Sequence, residues 1–297
     1  MLTKVHLPSS LKKIGNNWFC YCDNIKSIVI PDSVSKIGKY CFNKCSKLTH
    51  IQWPSSLKEI NLGCFRYLQD IKEINIPDSV NYIGNECFYK CDLLTKIHLP
   101  SSLKMIHEDC FIKLSRIEEI IIPDSVNCIG DKCFNDCDLL TKIHLPSSLE
   151  YIHSNCFHSL SLIEEIYIPD SLISIGDGCF NRCKLLTQIH LSTSLKIIGK
   201  SCFNYLGKLK SIYLPDTVTS LGEYSLSNCN NLASVHLSSS LKKLEKSIFE
   251  NCRWLKEIIL PYSITSIVPR STSTTKLSSF NIPCQNTILS PTSLRNF

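Results

Sequence analysis

Aliphatic residues recur along this chain at a constant step of 23, at Leu2, Ile25, Leu48, Ile71, Leu94, Ile117, Leu140, Ile163, Leu186, Leu209, Leu232 and Leu255. No insertion breaks the register. In each unit the alternation after the leading aliphatic predicts a short strand, as at Leu94 to Leu99, where Leu94, Ile97 and Leu99 face inward and Thr95, Lys96 and His98 outward. Proline follows in most units, from Pro8 through Pro215 and again at Pro261, and ends the strand because it has no N–H for a ladder. Two residues on stands an unbroken hydroxyl column, Ser10, Ser33, Ser56, Ser79, Ser102, Ser125, Ser148, Ser171, Ser194, Thr217, Ser240 and Ser263, read as a structural ladder onto nearby backbone.

A second inward pair follows, such as Val80 and Ile83, and then glycine, as at Gly38, Gly84, Gly130 and Gly176, where a left-handed backbone is expected. Ile129, Cys133, Phe134 and Cys137 then recur at i, i+4, i+5 and i+8, which predicts one face of a short helical turn on the convex side. Phenylalanine fills its position from Phe19 to Phe203 and again at Phe249, giving an aromatic spine. A period in the twenties with this frame is that of a leucine-rich solenoid, whose units bury their apolar faces only by stacking. The fold class expected is therefore an α/β repeat solenoid: a right-handed superhelix with a parallel β-sheet on the concave face and short helical turns on the convex face. A longer period overlies the short one, since units such as LTKIHLPSSL alternate with units such as IEEIIIPDSV.

Twelve units fill residues 1–268. Residues 269–297 are expected to hold a degenerate thirteenth strand, restarting at Leu277 to Ile282, between Ser/Thr-rich stretches that form a loose cap or fray. The first coil begins at Leu2 without a protecting segment, so self-association through that uncapped coil is an expectation.

The frame L-x-x-I-x-L-P-x-S-L/V-x-x-I-G-x-x-x-F-x-x-C, as in residues 94–137, resembles the BspA-like leucine-rich repeats of anaerobic bacteria and parasitic protists. The resemblance covers Leu2 to about Pro283. It implies adhesion or binding rather than catalysis, because the motif residues are all scaffold.

Composition narrows the function further. The net charge of +6 comes from 32 basic and 26 acidic residues spread along the coils, without the basic block that nucleic acid favours. No apolar run reaches the roughly 18 residues of a membrane helix, and the N-terminus lacks the pattern of a signal peptide. The 18 cysteines follow the repeat, and at one position Cys45, Cys91, Cys137 and Cys183 exchange with Leu68, Leu114 and Leu160. Exchange with leucine marks a buried, reduced thiol and not a disulfide or a metal ligand. That favours a reducing, cytoplasmic setting over the cell surface, as does the lack of any Asn-X-Ser/Thr signal.

The exposed strand positions hold the candidate chemistry. Histidines at His6, His98, His144, His190 and His236 lie on alternate coils, too far apart for a shared metal ion. Every candidate nucleophile is multiplied by the repeat, so no singular catalytic pair emerges. A charge column of Glu73, Lys96, Glu119, Lys142 and Glu165 is expected to pair with its neighbours and leave the groove neutral. His98, Ile121, His144, Tyr167, His190 and Tyr213 are accordingly the candidate partner-binding residues, with no cofactor. The function expected is a non-enzymatic protein-interaction scaffold, with a surface adhesin for host protein or glycan as the alternative and a hydrolase third.

Overall fold

The computed structural model of the protein describes residues 2–268 and 270–271, and the backbone of 279–281. The expected loose cap at Pro269 to Lys276 and Cys284 to Phe297 lies almost wholly outside them. The chain divides into two compact units, Met1–Pro146 and Ser147–Phe297. In the first, the strands are β1 (Lys13–Ile14), β2 (Ser27–Val29), β3 (Lys36–Ile37), β4 (His50–Gln52), β5 (Glu59–Ile60), β6 (Glu73–Asn75), β7 (Tyr82–Ile83), β8 (Lys96–His98), β9 (Met105–Ile106), β10 (Glu119–Ile121), β11 (Cys128–Ile129) and β12 (Lys142–His144). The second continues with β13 (Tyr151–Ile152), β14 (Glu165–Tyr167), β15 (Ser174–Ile175), β16 (Gln188–His190), β17 (Ile197–Ile198), β18 (Ser211–Tyr213), β19 (Ser220–Leu221), β20 (Ser234–His236), β21 (Lys243–Leu244), β22 (Glu257–Ile259), β23 (Ser266–Ile267) and β24 (Ser279–Asn281).

Each unit is a parallel β-solenoid in which a coil contributes one three-residue and one two-residue strand, except that the first coil contributes β1 alone. The two-residue strands pair in register 23 apart, as in β1-β3-β5-β7 of the first unit and β13-β15-β17-β19 of the second. At the end of the second unit β24 pairs with β22 at a step of 22, Glu257 opposite Ser279.

The expected convex helix is absent: no helix occurs among the described residues. Lys132 and Asp136 both have left-handed backbone, at φ 52° and 56°, and so do the equivalent positions of the other coils, such as Tyr40 and Lys44 or Glu86 and Lys90. Two such corners turn Ile129, Cys133, Phe134 and Cys137 inward without a helix, and all four are buried. They also aim the amides at the next coil. Asp109, Phe111 and Lys113 donate to the carbonyls of Asp131, Cys133 and Asn135 at 2.9, 3.0 and 2.9 Å.

The glycine column also differs from expectation. Gly38, Gly84, Gly130 and Gly176 are not left-handed; among the described glycines only Gly63 and Gly178 are. The column is glycine because of close approach, since a Cβ on Gly84 would stand 2.5 Å from the Leu62 nitrogen and one on Gly130 2.8 Å from that of Glu108. Asn61, at the same position, turns its side-chain amide onto the Ile37 carbonyl at 2.8 Å.

The core follows the sequence. Phe42, Phe65, Phe88 and Phe111 stack at 5.3 to 5.7 Å between ring centroids in the first unit, and Phe157, Phe180 and Phe203 at 5.4 and 5.9 Å in the second. The hydroxyl column bonds the preceding coil, as in Ser102 to the Val80 carbonyl and Ser125 to that of Leu103, both at 2.6 Å. Where Ser192 and Ser238 replace the proline they take over this bond, reaching Leu172 and Val218 at 2.8 and 2.6 Å. Cys91, Cys137 and Cys183 are free, buried thiols that donate to the carbonyls of Phe65, Phe111 and Phe157 at 3.2 to 3.3 Å. Burial pushes each of them up to about 12, so they stay protonated.

The three-residue strands pair only in twos: β2–β4, β6–β8 and β10–β12 in the first unit, β14–β16, β18–β20 and β22–β24 in the second. The two-coil sequence period accounts for this. In the first four pairs the second coil carries a threonine whose hydroxyl bonds the first, Thr49 to Lys26, Thr95 to Lys72, Thr141 to Glu118 and Thr187 to Glu164, at 3.0 to 3.1 Å to the carbonyl, whereas the β18–β20 pair has Ala233 there. At the far end the first coil carries an aspartate that accepts both the N–H and the hydroxyl of the second, Asp78 from Ser101 at 2.7 and 2.8 Å and Asp170 from Thr193 at 2.9 Å for both. Those bonds, the backbone one first, hold the two carboxyls below the usual carboxylate range. Between pairs the position of the threonine holds Lys72, Glu118, Glu164 or Lys210, which carry no short hydroxyl.

The backbone alternates to match. Ile76, Ile122, Ile168 and Leu214 donate to carbonyls of the following coil at 2.8 to 3.1 Å, whereas the equivalent Trp53, Leu99 and Leu191 face a ladder break. In residue-resolved hydrogen exchange the first four amides should exchange at least about tenfold more slowly than the other three; uniform protection would contradict the paired ladder.

Candidate functional site

The third residue of each three-residue strand points away from the core, because side chains alternate across a strand. That column places His98, Ile121 and His144 on β8, β10 and β12 of the first unit, and Tyr167, His190 and Tyr213 on β14, β16 and β18 of the second. All six are exposed, with Ile121, Tyr167 and Tyr213 at 63%, 62% and 59%.

Inside each strand pair the groups of this face engage one another. Glu165 Oε1 accepts from the Tyr167 hydroxyl at 2.8 Å and lies 3.0 Å from His190 Nε2, and the Tyr167 and His190 rings stack at 4.2 Å with parallel planes. In the next pair Tyr213 stacks on His236 at 4.2 Å, with Ser211 in the place of the glutamate. In the first unit Glu119 reaches His144 Nε2 at 2.7 Å. Glu73 stands 3.7 Å from Lys96 Nζ and 3.8 Å from His98 Nε2.

These pairs revise the expected charge column. Glu119 lies opposite Lys142 in the ladder, yet its carboxylate meets His144 on the diagonal. Diagonal neighbours on one face are within reach of long or aromatic side chains, and the short imidazole loses less freedom than a lysine would on being held. The glutamates of the column thus meet imidazoles as well as an ammonium group. The hydroxyl of Tyr167 and then the ring of His190 lower the Glu165 carboxyl, and the same carboxylate raises the Tyr167 phenol.

No three His, Cys, Asp or Glu side chains converge on a metal-sized site among the described residues. Nor is any helix among them long and apolar enough to cross a membrane.

The pairing of Tyr213 with His236 and a ladder on the turn face of the first unit escape sequence reasoning. Lys44 Nζ lies 4.9 Å from the Tyr21 ring centroid and 5.6 Å from that of Tyr67, while Lys90 Nζ lies 6.0 and 5.8 Å from those of Tyr67 and Tyr89. Arg66 covers Tyr89 at 4.9 Å and pairs with Glu86 at 2.6 Å. The 23-residue step from Tyr21 to Lys44, Tyr67 and Lys90 was its signal. Here rings and cations satisfy each other, which stiffens the left-handed corners.

The sequence model of the family described as "BspA type leucine rich repeat region" matches in six copies, over residues 1–117, 81–187 and 173–297. A leucine-rich repeat protein from Bacteroides ovatus is 31% identical, with a TM-score of 0.77 over 92% of this chain and 76% of that one. One from Eubacterium ventriosum is 22% identical, with a TM-score of 0.62 over 92% and 83%. The pneumococcal vaccine antigen PcpA is 22% identical, with a TM-score of 0.57 over 88% and 80%. At 22% identity the last two show the fold alone. No curated protein matches the chain.

Glu165→Gln removes the charge that raises the Tyr167 phenol, so Tyr167 should titrate at lower pH in the variant than in the parent. NMR titration of ring-labelled tyrosine reads this directly. An unchanged Tyr167 titration would show that the carboxylate does not hold the hydroxyl.

Proposed function

The chain belongs to the BspA-type leucine-rich repeat family, and from that premise we propose that it is a non-enzymatic scaffold that binds a partner protein on the face of its three-residue strands. Residues 1–268 are the repeat array and 269–297 its degenerate end. The observation that carries the reading is the exposed pair of Tyr167 and Tyr213 on the strand face of the second unit. Tyr167 is fixed by its stack on His190 and its bond to Glu165, and Tyr213 by its stack on His236. Preorganised aromatic side chains lose little entropy on binding and are the commonest anchors of protein interfaces.

The glutamates of this face are each engaged by a neighbouring side chain, which favours an apolar or aromatic element of a protein as the partner. Protonated, buried thiols suit a reducing compartment, which favours the cytoplasm.

The partner is recovered by affinity purification from the source cell, and its affinity is then compared between variants. Tyr167→Ala with Tyr213→Ala should weaken binding about 30-fold or more while leaving thermal unfolding close to the parent. Replacing Lys113 and Arg182, on the turn face, should leave binding intact. If the turn-face pair abolishes binding and the tyrosine pair does not, the working face is misassigned.

A further inference from the structure

On the turn face of the first unit, the second left-handed corner of four successive coils holds Tyr21, Lys44, Tyr67 and Lys90, with φ from 54° to 63°. The coils are bonded directly to one another there. The Tyr21, Lys44 and Tyr67 amides donate to the carbonyls of Asn43, Arg66 and Tyr89 at 2.9, 2.8 and 2.9 Å. The column therefore advances by one coil step, about 4.8 Å, from each side chain to the next, and it alternates ring with cation along a rigid backbone.

A ring face attracts an ammonium group without cancelling its charge. Lys44 is exposed beside Tyr21 and Tyr67, and Lys90 is half-buried beside Tyr67 and Tyr89. Neither makes an ion pair among the described residues. The cations around them are already matched: Arg66 pairs with Glu86, and Lys113 at the next corner faces Asp136 at 4.0 Å. Across residues 38–47, 61–70 and 84–93, the corner stretches of these coils, five basic residues stand against three acidic ones, so the face draws an anion. What it offers that anion is two held, uncompensated cations about 10 Å apart, with a tyrosine between them.

We propose that this ladder binds an acidic polysaccharide in which a uronic acid alternates with a neutral sugar, laid along the first four coils. Lys44 and Lys90 hold the carboxylates of successive uronic acids, and the neutral sugars rest their apolar faces on the open parts of Tyr21 and Tyr67. The observation that decides for this polymer is the alternation. A pyranose chain advances by close to one coil step per sugar, so an acid at every second sugar matches a cation at every second coil and a ring at the coils between. A single-stranded nucleic acid fits less well, because it carries a charge on every unit, about 3.4 Å apart along a helical strand. Its bases also need ring faces, which Lys44 and Lys90 already cover. The site lies outside the strand face and does not depend on the function proposed there.

The probe is a hexasaccharide of alternating glucuronic acid and N-acetylglucosamine, titrated into the full chain at about 0.01 M salt, where the Debye length is about 30 Å. It should shift the ring signals of Tyr21 and Tyr67 saturably. A hexasaccharide of N-acetylglucosamine alone, equal in length but uncharged, should bind at least about fivefold more weakly. Lys44→Gln with Lys90→Gln should weaken binding of the acidic probe by a similar factor. The charge-matched control is Lys12→Gln with Lys58→Gln, which removes two exposed lysines also two coils apart but with Ser35 between them, and it should leave binding intact. If the Lys44 and Lys90 variant does not fold, the uncharged hexasaccharide decides alone. No saturable shift, equal binding of the uncharged sugar, or an equal loss from the control pair overturns the proposal. Tighter binding of a thymidine hexanucleotide than of the acidic hexasaccharide also overturns it, in favour of a nucleic acid.

Discussion

A coil of this protein cannot satisfy its own backbone. Its two left-handed corners, such as Glu86 and Lys90 or Asp109 and Lys113, aim N–H groups at the neighbouring coil instead of along a helix axis. Each non-glycine residue in that conformation costs about 1 to 3 kcal/mol, and only a stacked neighbour returns the hydrogen bonds that offset it. The rest follows from that dependence. Phenylalanines stack because the coils superimpose, serine hydroxyls reach the carbonyl of the coil before them, and glycine stands where two backbones come closest. Two-residue strands extend without interruption through β1-β3-β5-β7.

What the sequence made legible were the features that depend on side-chain type at a fixed step: the period, the buried columns, the hydroxyl ladder and the buried thiols. The left-handed corners were not legible, because Lys90, Tyr67, Lys113 and Glu86 are not residues that favour positive φ. The inward spacing of Ile129, Cys133, Phe134 and Cys137 is the same for a helix face as for two corners, so periodicity alone could not tell them apart. Glycine at Gly84 and Gly130 was read as conformational when its cause is steric, and that cause lies in residues 22 positions earlier, Leu62 and Glu108. On the candidate face, exposure followed from alternation, while the diagonal meeting of Glu119 with His144 depends on reach across the ladder, which a linear sequence does not display.

The two-coil period carries the functional consequence. In the first four pairs threonine and aspartate clip the second coil to the first, and in three of them a glutamate to histidine contact reinforces the clip on the exposed side. At the junctions left without these clips, thiols such as Cys91 and Cys137 bond the preceding coil from inside the core. Core continuity therefore persists where the outer ladder is interrupted.

The central claim, that the pair of coils and not the single coil is the structural unit, is tested most directly by two deletions compared for thermal unfolding. Deleting residues 71–116 removes one pair and recreates a native junction between coils beginning at Leu48 and Ile117. Deleting residues 94–116 removes less chain but sets Asp78 against Asp124 and Glu73 against Glu119, with no threonine or serine to clip them. The account predicts that the shorter deletion melts at least about 5 °C below the longer one, although it keeps one coil more. Equal melting, or a more stable 23-residue deletion, would contradict it.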